Sequence, residues 1–139
     1  MSDLFSYLEG DWRIERRIDD RKLGETGTLA GVASFTPDAD GLDYSETGTL
    51  HIGSYSGIAE RRLRFRRGGP PETADIRFPD GRHFYRLDLG RGEWQARHDC
   101  PPDIYRLATL VTDASCWRQE WIVSGPRKDQ TITTIFHRK

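Results

Sequence analysis

Lysine is nearly missing from this chain of 139 residues: Lys22, Lys128 and Lys139 stand against 18 arginines. That bias is read here as base composition rather than function. Cysteine is as scarce. Cys100 and Cys116 are the only two, at no disulfide-framework spacing, so reduced thiols in a cytoplasmic protein are expected. No apolar run approaches the ~20 residues of a membrane helix. The opening Met-Ser-Asp has no basic region before an apolar run, and no secretory signal is expected from it. Net charge is also lacking: 21 basic against 22 acidic residues give −1. No global field therefore draws the protein to nucleic acid or membrane, and neither is expected as a partner. The length suits one domain, 1–139, with a core that needs no metal or disulfide.

What the chain does have is punctuation. Turn-forming clusters recur at 19–22, 37–41, 53–57, 68–71, 79–81, 90–92, 99–103, 112–115 and 125–129. Nine turns separate ten segments, and the segments alternate with period two. Trp12, Ile14 and Ile18 share a face, with Arg13, Glu15 and Arg17 opposite. Leu42, Tyr44, Glu46, Gly48, Leu50 and Ile52 share another, as do Tyr105, Leu107, Thr109 and Val111, and Trp117, Gln119, Trp121 and Val123. Residues 79–81 and 90–92 are short enough for hairpins. Only residues 3–9 read as helical, with Ser2 or Asp3 as the cap. Ten hairpin-linked strands leave two exposed edges unless the sheet closes. The expected fold is all-β: an up-and-down antiparallel barrel of about ten strands after a short N-terminal helical turn.

Gly10-Asp11-Trp12 follows the helical stretch and opens the first strand; Arg138 ends the last. Glycine lets the chain turn sharply there. A buried Trp12 calls for a cation over its face, and Arg138 is the candidate, also able to satisfy carbonyls at the helix end. This Gly-x-Trp start and terminal Arg resemble the calycin (lipocalin-like) superfamily. Several stretches are similar to a bacterial family of small uncharacterised calycin-like domains: Gly10-Asp11-Trp12, Tyr44-Ser45-Glu46, Asp80–Phe84, His98–Tyr105 and Gly125–Asp129. The resemblance implies a barrel in which Gly10, Trp12 and Arg138 are structural. It implies no particular activity.

The densest polar cluster is His98-x-Cys100-x-x-Asp103-x-Tyr105, expected to gather at one rim. Three readings stand: a turn in which Asp103 caps backbone amides and His98 bonds the loop, a ligand contact, or a metal site. The spacing matches no common zinc motif and lacks a fourth ligand, so no metal is expected. Nothing demands an activated Cys100 thiolate. Glu46 lies on the apolar face beside Tyr44. An inward carboxylate needs a partner, for which His83, Arg86 and Arg106 are candidates; a solvated rim is the alternative. Trp117, Gln119 and Trp121 form a stripe suited to an aromatic ligand or to plain core, and Tyr85 joins the same lining. In Arg61–Arg67, Arg62, Arg64 and Arg66 point opposite to Leu63 and Phe65, which suits a solvated strand face better than anionic-ligand or RNA binding. Arg127-Lys128, in a Gly-Pro turn, reads either as a plain hairpin turn or as a contact, through Lys128, for an anionic head group. The Arg-x-Tyr carboxylate clamp of fatty-acid-binding proteins is absent from the chain end, Phe136-His137-Arg138. Haem through His137, known in some Gly-x-Trp barrels, is not expected, because His137 points outward if Arg138 points in.

These residues lead to a barrel that binds a small, partly apolar or aromatic molecule, as monomer or homodimer. The alternatives are a barrel enzyme using His98 with Asp103 or His83 with Glu46, and an unliganded dimeric interaction module.

Overall fold

Period-two alternation becomes ten antiparallel strands. The computed structural model describes residues 3–139. Helix α1 (Leu4–Leu8) precedes β1 (Gly10–Asp20), β2 (Glu25–Asp38), β3 (Gly41–Ile52), β4 (Tyr55–Arg66) and β5 (Thr73–Arg77). Then come β6 (His83–Asp88), β7 (Glu93–Cys100), β8 (Asp103–Asp113), β9 (Cys116–Ser124) and β10 (Asp129–Arg138). The order around the sheet is β6-β5-β4-β3-β2-β1-β10-β9-β8-β7. Every strand thus pairs with its chain neighbours except β6 and β7, and β1 joins β10 with Trp12 opposite Arg138. The result is an all-β, nearly closed, up-and-down barrel. The first turn sits later than 19–22, at Arg21–Gly24, because Asp20 accepts a hydrogen bond from Leu23 N at 3.0 Å and starts the turn itself.

The one place without a ladder lies between β6 and β7. The corner at 90–92 is therefore a turn but not a hairpin. Gly92 N donates to Leu89 O, yet the strands diverge. The indole of Trp94 donates to Arg86 O at 2.6 Å, taking a carbonyl that a paired strand would otherwise use. Leu89 N, bonded to Glu72 O, and Val111 N, bonded to Gly92 O, pin the corner from both sides. Elsewhere closure needs tight bending. Gly31 faces Gly48 across β2 and β3, and a Cβ on Gly31 would stand 2.1 Å from the Thr47 carbonyl oxygen. Side-chain-free positions allow that backbone approach.

Helix α1 plugs one end. Asp3 caps it, accepting from Phe5 N at 3.1 Å; Ser2, the other candidate cap, lies outside the described residues. Leu4, Phe5 and Leu8 are buried. Gly10, at φ +112°, turns the chain from helix into strand. Trp12 is fully buried and donates through Nε1 to Leu8 O at 2.7 Å. Arg138 lies over its ring, guanidinium carbon 4.1 Å from the centroid, and donates to the Tyr7 and Glu9 carbonyls at the helix end. Trp117 and Phe136 stack 3.8 Å apart below, and Trp12 meets Trp117 edge-on. Removing this indole leaves a large cavity, takes the indole donor from Leu8 O and uncovers one face of Arg138. Trp12→Ala is expected to cost about 3–5 kcal/mol, measured by urea denaturation; a loss under about 1 kcal/mol would show that the plug is dispensable.

Candidate functional site

From the plug towards the opposite end, the barrel changes from packed to open. Phe35 contacts Tyr44 and Phe65 in an aromatic layer above Trp12, Trp117 and Phe136. Only about 10 Å³ of space remains between that layer and Arg16, Tyr85 and Gln119, roughly room for one water. Beyond them lies a pocket of about 210 Å³. Arg16, Gln119 and Thr134 form its polar floor; Ile18, Val123 and Ile132 form an apolar wall; Arg61, Phe84, Tyr105 and Trp121 form its mouth. Ile18 pairs with Ile132, and Ile132 with Trp121. That row lies six residues along β1 from Trp12, about 20 Å at strand rise.

A buried ion pair separates the two halves. Arg16 donates from Nη1 to Glu46 Oε1 at 2.7 Å and from Nη2 to Oε2 at 2.8 Å. Its Nε donates to Thr134 Oγ1 at 2.8 Å, and Tyr44 donates to Glu46 Oε2. Arg16 is the partner that Glu46 requires, not His83, Arg86 or Arg106, and Glu46 is 4 % exposed rather than at a solvated rim. Burial works to raise the Glu46 carboxyl. The hydrogen bonds and charge of Arg16, with the Tyr44 hydroxyl, outweigh it and hold the group below the ordinary range. Burial first, then the charge of Glu46, pushes the Tyr44 phenol well up, so it stays a donor. Burial likewise raises Tyr85 to about 12, with the Gln119 side chain opposing; Gln119 Nε2 donates to its hydroxyl at 3.2 Å.

The mouth is aromatic. Phe84 and Trp121 lie parallel, 2° apart in plane and 5.2 Å between centroids. Tyr85 and Tyr105 meet Trp121 edge-on. His98 stands edge-on to Phe84 at 5.2 Å. Lys128 Nζ donates to Tyr105 Oη at 3.0 Å and lies 3.4 Å from Asp103 Oδ2. The Tyr105 hydrogen bond foremost, then Asp103, raises its ammonium above the usual lysine value.

Several sequence-based expectations change. Trp121, Gln119 and Tyr105 line the pocket, with His98, Asp103 and Lys128 about its rim. Tyr44, Tyr85 and Trp117 are buried below it and Glu46 is locked to Arg16. His83 is not in the lumen: it is exposed, its Nδ1 2.7 Å from Asp75 Oδ1. The reason is a bulge. Ile76 pairs with Tyr85 but Arg77 with His83, so Phe84 is the extra residue and turns inward in place of His83. Asp103 holds Lys128 and crowds Gly125, where a Cβ would meet its Oδ1 at 2.0 Å; no backbone amide bonds it among the described residues. Among those residues no hydrogen bond joins His98 to Asp103 or His83 to Glu46, so neither acid–base pair forms. His137 lies 3.9 Å from Glu15 on the outer face. Arg16 and Arg61 were legible by parity, with Trp12 and Ile14 and with Leu63 and Phe65. Phe84 was not, because a bulge has no period.

The pair makes a pH-dependent contribution to stability. A carboxyl lowered in the folded state stabilises it above the ordinary carboxylate value, and the gain is lost as pH falls through the lowered one. Glu46→Gln is expected to cost about 3–5 kcal/mol at pH 7 by leaving Arg16 buried and unpaired. Its stability should then fall less than the parent's on acidification below pH 4.5, the ordinary value. Urea denaturation across pH checks both; parallel curves would contradict the assignment.

Solved structures share this fold. The S-type phycobiliprotein lyase CPES from Guillardia theta superposes with a TM-score of 0.68 at 7 % identity, over 97 % of this chain and 90 % of that one. A protein of unknown function from the DUF3598 family of Nostoc punctiforme gives 0.62 at 11 % identity, over 97 % of this chain and 49 % of its own. This chain thus spans about half the length of that protein. At such identities the likeness is one of fold. No curated protein sequence matches the chain. Residues 8–138, the whole barrel with the plug's last residue, match the family of unknown function DUF6314, and the chain belongs to that family.

Proposed function

We propose that this protein is a calycin-type barrel that binds a small, partly aromatic molecule in the pocket at its open end. The observation that carries the reading is the pocket of about 210 Å³ between parallel Phe84 and Trp121 and the polar floor of Arg16, Gln119 and Thr134. Binding sites are mostly apolar, with a few placed polar groups. Since roughly 150 Å³ holds benzene, the space suits one ring with short substituents. It is smaller than a drug-sized site of about 300 Å³ because the aromatic layer and the Arg16–Glu46 pair fill the lower lumen. The shared fold of a phycobiliprotein lyase supports a barrel that serves small-molecule chemistry. A larger concavity of about 710 Å³ lies on the barrel's outer side along β7–β9, partly lined by Arg91, Glu93, Arg118 and Glu120. It is open and mixed in charge, and lacks the convergence of groups found at the mouth.

Native mass spectrometry of the protein purified from its own host is expected to show a retained small molecule. Ile132→Trp, which fills the pocket at the end opposite the plug, should abolish retention while leaving the fold intact by circular dichroism. A clean polypeptide mass, with no fragment of one-ring size shifting the Val123 or Ile132 methyl resonances, would refute the reading.

A further inference from the structure

We infer that the molecule bound at this site is a monoanionic aromatic carboxylate held by Arg61; the inference rests on the ligand-binding reading above. Two cations reach the pocket, Arg16 and Arg61. Glu46 neutralises Arg16 through both of its oxygens. Lys128, at the rim, is matched by Asp103. Arg61, although opposite Glu46 on β4 and within reach of its field, makes no hydrogen bond or ion pair among the described residues, and one carboxylate against two guanidiniums leaves a net charge of +1. Arg61 shares the inner face of β4 with Leu63 and Phe65, and its guanidinium carbon lies 5.8 Å from the Phe84 ring centroid. The pocket groups therefore sum to a single uncompensated positive charge beside an aromatic slot.

That charge selects the ligand. A neutral molecule filling the pocket would strip water from Arg61 and return nothing, which is costly for a charge. A dianion such as a phosphate ester would leave one negative charge unmatched against apolar Ile18, Val123 and Ile132. A carboxylate supplies one charge and two oxygens at the spacing of a guanidinium fork. The ring then lies against Trp121 and Tyr105, and a pocket of this volume limits the acid to one ring system and a short side chain.

The test titrates the full chain with benzoate, phenylacetate and indole-3-acetate, and with their primary amides, by calorimetry and methyl NMR. The acids are expected to bind about tenfold or more tightly than the amides, a charge-assisted preference that raising salt weakens. Arg61→Gln should bring the two series to parity, by weakening the acids and by sparing the amides the cost of desolvating a charge, and Arg61→Lys should keep part of the preference. Circular dichroism confirms the fold of each variant; if Arg61→Gln does not fold, the lysine variant and the salt dependence carry the comparison. Equal binding of acids and amides overturns the carboxylate inference and leaves ligand binding standing. Binding of neither series, with another molecule retained from the host, does the same. Binding of neither, with nothing retained, overturns both.

Discussion

The Arg16–Glu46 pair divides the barrel, and the rest of the site depends on where that division falls. On one side the lumen is filled by Tyr44, Phe65, Phe35 and the stacked Trp117 and Phe136. On the other it is open. A buried pair of this kind contributes little net stability compared with apolar filling, but breaking it is costly. Its consequence is positional. Bidentate geometry fixes the Arg16 fork, Thr134 fixes its Nε, and Tyr44 fixes the far carboxylate oxygen. The pocket floor thereby carries no net charge, and Arg61, opposite Glu46 on β4, adds one positive charge beside it.

The gap between β6 and β7 bears on the same site. Phe84 on β6 and His98 on β7 face each other across it in edge-on contact, so the aromatic mouth spans the one join that no ladder holds. Local opening is least costly where backbone hydrogen bonds are fewest. Opening beside Phe84 would disturb side-chain contacts there rather than strand pairing, while α1, Trp12 and Arg138 keep the other end shut.

Much of the fold was legible because alternation and turn chemistry are local. The ten strands, the pairing of the first with the last and the inward indole of Trp12 all follow from period two and from residues 10–12 and 138. The seam was not legible. Gly90-Arg91-Gly92 has the composition of a hairpin, and what meets it there is tertiary: Trp94 takes Arg86 O, while Leu89 N and Val111 N bond outside a β6–β7 ladder. The site was half legible. Trp121, Gln119 and Tyr105 declared themselves by parity, but His83 and Phe84 exchange places through a bulge set by pairing with β5. Glu46 was correctly placed inward, yet its partner comes from a strand 30 residues earlier, a separation that sequence spacing does not encode.

The scarcity of lysine also acquires a structural meaning. Arg138 covers a tryptophan face while its nitrogens reach the carbonyls of Tyr7, Glu9 and Ala114. Arg67 lies over Phe5 at 4.0 Å. Arg16 grips a carboxylate by both oxygens. Each task uses a flat cation that stacks and donates in several directions at once, which an ammonium does not do. Arg62 and Arg64, exposed on the outer face, have no such task. Arg138 and Arg16 do: the geometry of the guanidinium closes one end of the barrel and fixes the floor beneath the other.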